Sequence, residues 1–373
     1  MGSARILIAT GASLLLASLA ACSSTTPPAT TTTPPGAATT PAEPGGETQG
    51  KIAVLLPDSK SAARWETADR VFFEKAFQEA GLTADDYIIS NAEGDAAVQR
   101  TQADQAITDG AKVLLLVNLD NGSGSAIIDA AHAQGLKVID YDRMTVGGQA
   151  DYYVSGDATE AGRLQGQGLV EDLKSVDKPN VAILDGAPTD SFALDLAKGY
   201  GEVLDPLFAD GSFVKVDQQA VKDWDGATAL TIFEQILIAS NNKVDGAIAA
   251  NDTLANAIIS ALKSKQLPMI PVSGLDGEVK ALQHILAGEQ TFTVYFSYGT
   301  QAGLAANLAV ELLRGQEPTG ITATADNEGR AVPALLIDPV TVRADNIEQT
   351  VIADGLITWD DICIGEYAQF CKQ

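Results

Sequence analysis

Histidine is nearly missing from this chain: among 373 residues only His132 and His284 occur. That is too few for a His-rich metal site, and it leaves few positions for a Ser-His-Asp or Cys-His centre. Basic residues are scarce too. Lys and Arg number 24 against 49 Asp and Glu, a formal charge of −25, which repels phosphate backbones and anionic headgroups and argues against a nucleic-acid partner. A Walker A loop, a His-Glu-x-x-His zinc motif and a Gly-x-Ser-x-Gly elbow are absent, so no cofactor or metal is expected. Gly122-Ser123-Gly124 is too short a fragment to mark a dinucleotide site. Aromatics make up only 6%, yet 46% of residues are hydrophobic, enough to bury a sizeable core. The length suggests two or three domains.

The only long apolar run, Ile6–Ala20, follows Arg5 and is too short for a usual membrane span. Its ending, Leu19-Ala20-Ala21-Cys22, resembles a bacterial lipobox. The resemblance implies a signal peptide over 1–21, cleavage before Cys22 and lipidation of its thiol, hence a membrane anchor on the outer face. An ordinary secretory signal is the alternative, and both export the protein. Residues 22–50 then hold the lipidated Cys and a tether: Ser23–Gly50 has nine Thr, six Pro and two charges, Glu43 and Glu47. Such a stretch cannot bury enough apolar surface to fold, and its prolines stiffen it toward polyproline II.

Apart from Cys22 there are only Cys363 and Cys371, with seven residues between them. In an exported protein this even pair reads as a disulfide pinning the C-terminal tail, free thiols being the alternative.

From Lys51 onward, short β-branched runs alternate with helical patterns. Lys51–Leu56 is a near-continuous apolar run, as in a parallel strand covered on both faces. An amphipathic helix is expected over Ala63–Gly81, and the pair repeats through Tyr87–Ser90, Val113–Val117 and Val138–Tyr141. A second series begins after Tyr152-Tyr153-Val154 and runs through strands at Val181–Leu184, Phe213–Val216, Gly246–Ala250, Pro271–Ser273 and Thr291–Tyr295. This is βαβ logic with too many strands for one open sheet, so an α/β architecture of two doubly wound halves is expected.

Polar and aromatic residues collect at the C-terminal ends of these strands, where open α/β sheets bind ligands. Asp58 follows the first strand, and Arg64-Trp65 opens the first helix. Asp142-Arg143, Asp190, Asn251-Asp252 and Asp276 follow others. Helix capping is the competing explanation for Asp190 and Asn251. Taken in order, Arg64-Trp65, Tyr141-Asp142-Arg143-Met144, Asp185-Gly186-Ala187-Pro188-Thr189-Asp190, Ala250-Asn251-Asp252, Ser273-Gly274-Leu275-Asp276 and Thr293-Val294-Tyr295 resemble the motifs of xylose-binding proteins of ABC importers. The resemblance runs from about Lys51 to the C-terminus. It implies a type I periplasmic-binding-protein fold, two Rossmann-like lobes joined by three crossovers with a sugar held between them. The lobes are expected over 51–154 with 295–332 and over 155–294 with 333–373, and the hinge near 154–156, 292–295 and 332–336. A monomer that hands its ligand to a membrane permease is implied.

The residues themselves suit a neutral polyhydroxylated ligand. Each hydroxyl both donates and accepts, so a dry cleft needs acceptors, here Asp142, Asp190 and Asp276, and donors, here Arg64, Arg143 and Asn251. Trp65 and Trp224 are expected to cover C–H faces from opposite lobes, a core role being the alternative for Trp224. The chain also departs from the family pattern. Ser191-Phe192 stands where close xylose binders carry Asn-Asn, Phe296 where they carry Lys, and Leu275 where Gln is usual. These changes point to an alditol such as xylitol rather than a pyranose, with a retained pentose as the alternative. Paired carboxylates also occur in glycosidases, but the Arg partners are expected to lower their pKa and favour accepting hydrogen bonds over donating protons. A sugar-responsive repressor would need a basic helix-turn-helix where this chain has an apolar leader and a Thr/Pro segment.

Overall fold

A computed structural model describes residues 50–321, 323–355 and 357–371; the leader, Cys22 and the tether up to residue 49 lie outside them. In chain order the elements are β1 (Lys51–Leu56), α1 (Arg70–Glu79), β2 (Tyr87–Asn91), α2 (Ala96–Thr108), β3 (Ala111–Leu116), α3 (Asn121–Ala133), β4 (Lys137–Tyr141) and β5 (Tyr152–Gly156). They continue with α4 (Ala158–Leu173), β6 (Asn180–Asp185), α5 (Ser191–Ala209), β7 (Val214–Ala220), α6 (Gly226–Ala239), β8 (Gly246–Ala249), α7 (Asp252–Ser264), α8 (Val279–Leu286) and β9 (Thr293–Tyr295). Last come α9 (Tyr298–Leu313), β10 (Ala323–Asn327), β11 (Arg330–Ile337), β12 (Val340–Val342) and the short α10 (Trp359–Ile362).

The apolar run of β1 occupies the interior of a seven-stranded sheet ordered β10-β11-β5-β4-β3-β1-β2. It pairs in parallel with β2 and β3, Val54 lying opposite Ile89 and Leu115. Both faces are covered. Ile52, Val54 and Leu56 pack with Phe73, Phe77 and the Ala302–Ala309 stripe of α9, while Ala53 and Leu55 pack with Ile127 and Ile128 of α3. The second lobe is built on a parallel β7-β6-β8 sheet. Single bridges from Ala247 to Val272 and from Leu275 to Val294 carry it on to the antiparallel β9-β12 pair.

The chain crosses between lobes three times: after β5 into α4, after β9 into α9, and between β11 and β12. β11 stays in the first sheet to Ile337, so the third crossing falls beyond the expected 332–336, and the tail from β12 onward belongs to the second lobe. Residues 271–273, expected as a strand, make only the bridge at Val272; Pro271 has no N–H to donate to a ladder. The first helix starts as a π-helical turn over Trp65–Asp69. The C-terminal tail is pinned as expected, with Cys363 and Cys371 disulfide-bonded and Tyr367 packed edge-on against His284 of α8.

Candidate functional site

The strands of both sheets end at the cleft between the lobes, and the loops after them converge there. Around one small cavity stand Arg64, Trp65, Asp142, Arg143, Asp190, Phe192, Trp224, Asn251, Asp276 and Phe296, together with Ser61, Ala62, Leu275 and Tyr298. The ten residues expected to contact the ligand therefore line one cavity, whereas Asp252, also at a strand end, does not. Asp58 does not line it: its carboxylate caps its own turn, accepting from the N–H groups of Lys60 and Ser61 at 2.6 and 2.5 Å. It borders a wider outer cavity of about 420 Å³ that shares Ser61, Arg143, Asp190 and Trp224 with the inner one.

The first lobe supplies the guanidinium groups. Arg64 is ion-paired with Asp142 and reaches Asp69 at 3.5 Å. Its guanidinium carbon lies 4.0 Å from the ring centres of both Trp65 and Tyr298, a double cation–π sandwich that fixes it. Trp65 is held by Nε1 donating to Ser61 Oγ at 3.1 Å. Asp142 also accepts from Gln301 Nε2 at 3.2 Å, and its backbone carbonyl accepts from the hydroxyls of Tyr153 and Ser155.

The second lobe supplies most of the acceptors. Asp190 caps α5 by accepting from Phe192 N–H at 2.9 Å, and its other oxygen accepts from Trp224 Nε1 at 3.1 Å. Asn251 caps α7 by accepting from Leu254 N–H at 3.1 Å, while its Nδ2 donates to Ser61 O at 3.0 Å and to Asp276 at 3.3 Å. Capping and cavity lining, posed as alternatives, are thus both fulfilled by the same side chains. Phe192 and Phe296 meet edge-to-face with ring centres 6.1 Å apart and, with Leu275, contribute apolar surface to the wall beside Ala62, Trp65 and Trp224.

Direct bonds join the lobes across the cleft. Arg143 Nε meets Asp190 at 2.9 Å, Ser191 Oγ donates to Met144 O at 2.8 Å, and Tyr298 OH donates to Asp276 at 2.9 Å. Ala63 N–H donates to Glu278 at 3.2 Å. Strain collects here as well. Asp142, Trp224 and Asp276 have φ of 66°, 54° and 110°, each costing about 1–3 kcal/mol that the surrounding packing must hold in place.

Burial pushes the Asp276 carboxyl up to about 7, against the opposing pull of Arg64, and pushes Asp190 up despite Arg143. The expectation that the Arg partners lower these values is thus corrected for both groups: withdrawal from water outweighs the ion pairs. Two functional candidates were not legible in the sequence. Ser61 sits in an ordinary Asp-x-x-Ser turn, and Tyr298 gives only the weak signal of an aromatic just past a strand end. No group of three or more His, Cys, Asp or Glu close enough to hold a metal occurs among the described residues.

The family model for a periplasmic binding protein domain matches residues 52–317. The D-xylose-binding periplasmic protein of Escherichia coli is 35% identical over 306 residues, covering 82% of this chain and 90% of that relative. The crystal structure of a carbohydrate transporter solute binding protein from Chloroflexus aurantiacus, in complex with D-glucose, superposes with a TM-score of 0.77 at 30% identity, covering 83% of this chain and 97% of that one. More distant is the xylitol-binding protein of Mycolicibacterium smegmatis, 24% identical over 276 residues, 72% of this chain and 74% of that relative. With two α/β lobes, three crossovers and a polar cavity in the cleft, this chain belongs to the periplasmic binding protein family and has its type I fold.

Proposed function

We propose that this protein is an extracytoplasmic solute-binding lipoprotein of an ABC importer. In this reading it captures a small polyhydroxylated ligand, a sugar alcohol such as xylitol or a similar alditol, between two closing lobes. The coarser part, a sugar-binding component of an ABC transporter, rests on the family and on relatives that bind sugars. The alditol rests on one observation: the corner made by Phe192, Phe296 and Leu275 offers no hydrogen bond, while the polar groups of the wall are carboxylates, guanidiniums, an amide and the Ser61 and Tyr298 hydroxyls, beside Ala62 and the rings of Trp65 and Trp224. A rigid pyranose presents hydroxyls around its whole edge, and one left unpaired against carbon costs about 1–3 kcal/mol. A flexible alditol turns its hydroxyls toward Asp142, Asp190 and Asp276, at an entropic cost that lobe closure must offset.

The second reading, D-xylose or another pentose, is favoured by the 35% identity to the D-xylose-binding relative. A third, a secreted glycoside hydrolase, draws on the raised carboxyl of Asp276; turnover of aryl glycosides would establish it, and none is expected. Ligand contacts from both lobes stabilise the closed form, which a membrane permease would recognise. A thermal-shift screen of pentoses, hexoses and C4 to C6 alditols tests the assignment, since a ligand at 100 times its Kd stabilises by about 2.7 kcal/mol. Tighter binding of xylose than of every alditol would remove the polyol assignment and leave the binding-protein assignment standing. The anchor is tested separately: the wild type is expected to incorporate labelled fatty acid and Cys22→Ala to incorporate none.

A further inference from the structure

Acidic groups outnumber basic ones around the inner cavity. Its wall carries three carboxylates, Asp142, Asp190 and Asp276, and two guanidiniums, Arg64 and Arg143. Both cations are engaged elsewhere, Arg143 with Asp190 and Arg64 with Asp142 and Asp69. Among the described residues Asp276 makes no ion pair, and its hydrogen-bond donors are the neutral Tyr298 hydroxyl and Asn251 amide. It is 8% exposed. A buried carboxylate is normally paired, because the low-polarity interior penalises an isolated charge.

We propose that the cavity takes amine-bearing polyols, amino alditols and aminodeoxy sugars, as well as neutral ones, and that the ligand's ammonium docks on Asp276. The inference rests on the polyol-binding reading and widens its ligand class. An ammonium supplies the cationic partner that Asp276 does not have among the described residues, together with three hydrogen-bond donors. Every other group facing Asp276 leaves this need in place. Arg64, from the loop before α1, is already shared between two carboxylates; Asp142 after β4, Asp252 at the start of α7 and Glu278 before α8 are acidic and supply no positive charge; Tyr298 at the start of α9 is neutral.

The pH dependence follows from the same placement. With its carboxyl pushed up to about 7, Asp276 is mostly ionised at pH 8 and mostly protonated at pH 6, where an ammonium must first displace the proton. A neutral alditol meets no such demand, since its hydroxyl can donate to the carboxylate or accept from the acid.

Calorimetry with xylitol and 1-amino-1-deoxyxylitol, at pH 8 and pH 6, tests this. The amine is expected to bind at least ten-fold more tightly than xylitol at pH 8, and its own affinity is expected to fall about ten-fold by pH 6. Asp276→Asn is expected to weaken both ligands and to bring their ratio near one. If xylitol binds and the amine binds no better at pH 8, the inference fails and the polyol reading stands. A preference that survives in Asp276→Asn overturns the docking position. Heat from neither ligand removes both.

Discussion

Asp190 and Asn251 each do two jobs with one short side chain. One oxygen holds the first turn of a helix, and the rest of the group faces the cavity or the opposite lobe. Cutting them back would therefore mix folding with binding, and cleaner probes are Arg143 and Asp276, which cap nothing. Arg143→Ala and Asp276→Ala are each expected to weaken ligand binding by about 1.5–3 kcal/mol while the protein still melts cooperatively; normal binding by both in calorimetry would place the site elsewhere. The apolar corner is tested in the opposite direction. Phe192→Asn with Phe296→Lys is expected to shift preference from alditol toward pentose, and an unchanged ranking would remove the phenylalanines from any role in selectivity. Asp142, Asp190, Asn251 and Asp276 were legible because loops after the strands of an open α/β sheet gather at one edge, whereas Phe192, Trp224 and Phe296 were legible only through the resemblance to xylose-binding proteins. Ionisation was not: Asp276 and Asp190 share their site with arginines, yet burial pushes both carboxyls up, and depth is a property of the assembled cleft.

At the scale of elements, the N-terminus of α5 is one of the places where the lobes are bonded directly to each other. Ser191 does not line the inner cavity; its hydroxyl reaches across to the Met144 carbonyl at 2.8 Å. Ser191→Ala should favour the open form by the worth of one hydrogen bond, about 0.5–1.5 kcal/mol. Every ligand is then expected to weaken by the same factor, with the order of preference kept; a change confined to one ligand would mean that Ser191 contacts it. β5 ends close by at Gly156, where an added Cβ would sit 2.3 Å from the Phe296 ring, so the hinge strand and the apolar wall share one space. The βαβ rhythm made β1 to β9 readable, but α9 and the β10–β11 hairpin escaped it. α9 carries Gly299 and Gly303, which dilute a helical pattern. The hairpin turns on Glu328-Gly329, both at positive φ, without the Asn-Gly or Asp-Gly pair that would announce it.

For the molecule as a whole, the excess of acid sets how stability responds to pH. Burial pushes Asp140 and Asp276 up to about 7 and Asp69 to about 6, whereas the same groups in an unfolded chain titrate near 3.9. Between about pH 4 and 7 the native state therefore holds more protons than the unfolded one, and stability falls as pH rises through this window. The surface carboxylates that salt bridges and hydrogen bonds hold low, such as Glu66 under Arg70 and Asp151 under Lys137, act with the opposite sign but mainly below that window. Self-repulsion of a chain with net charge −25 adds to the first trend, because acidification removes negative charge. The ligand-free protein is accordingly expected to melt several degrees higher at pH 5 than at pH 8. Asp140 separates the local cause from the global one. It lies away from the cavity wall and accepts from Thr145 N–H and Oγ1 at 2.7 and 2.8 Å, so Asp140→Asn removes one buried titration while changing the net charge by a single unit. If buried carboxyls drive the trend, this substitution flattens the slope of Tm against pH between 5 and 8; if repulsion drives it, the slope stays and only added salt reduces it. A Tm that rises from pH 5 to pH 8 would mean that these carboxyls remain ionised in the fold.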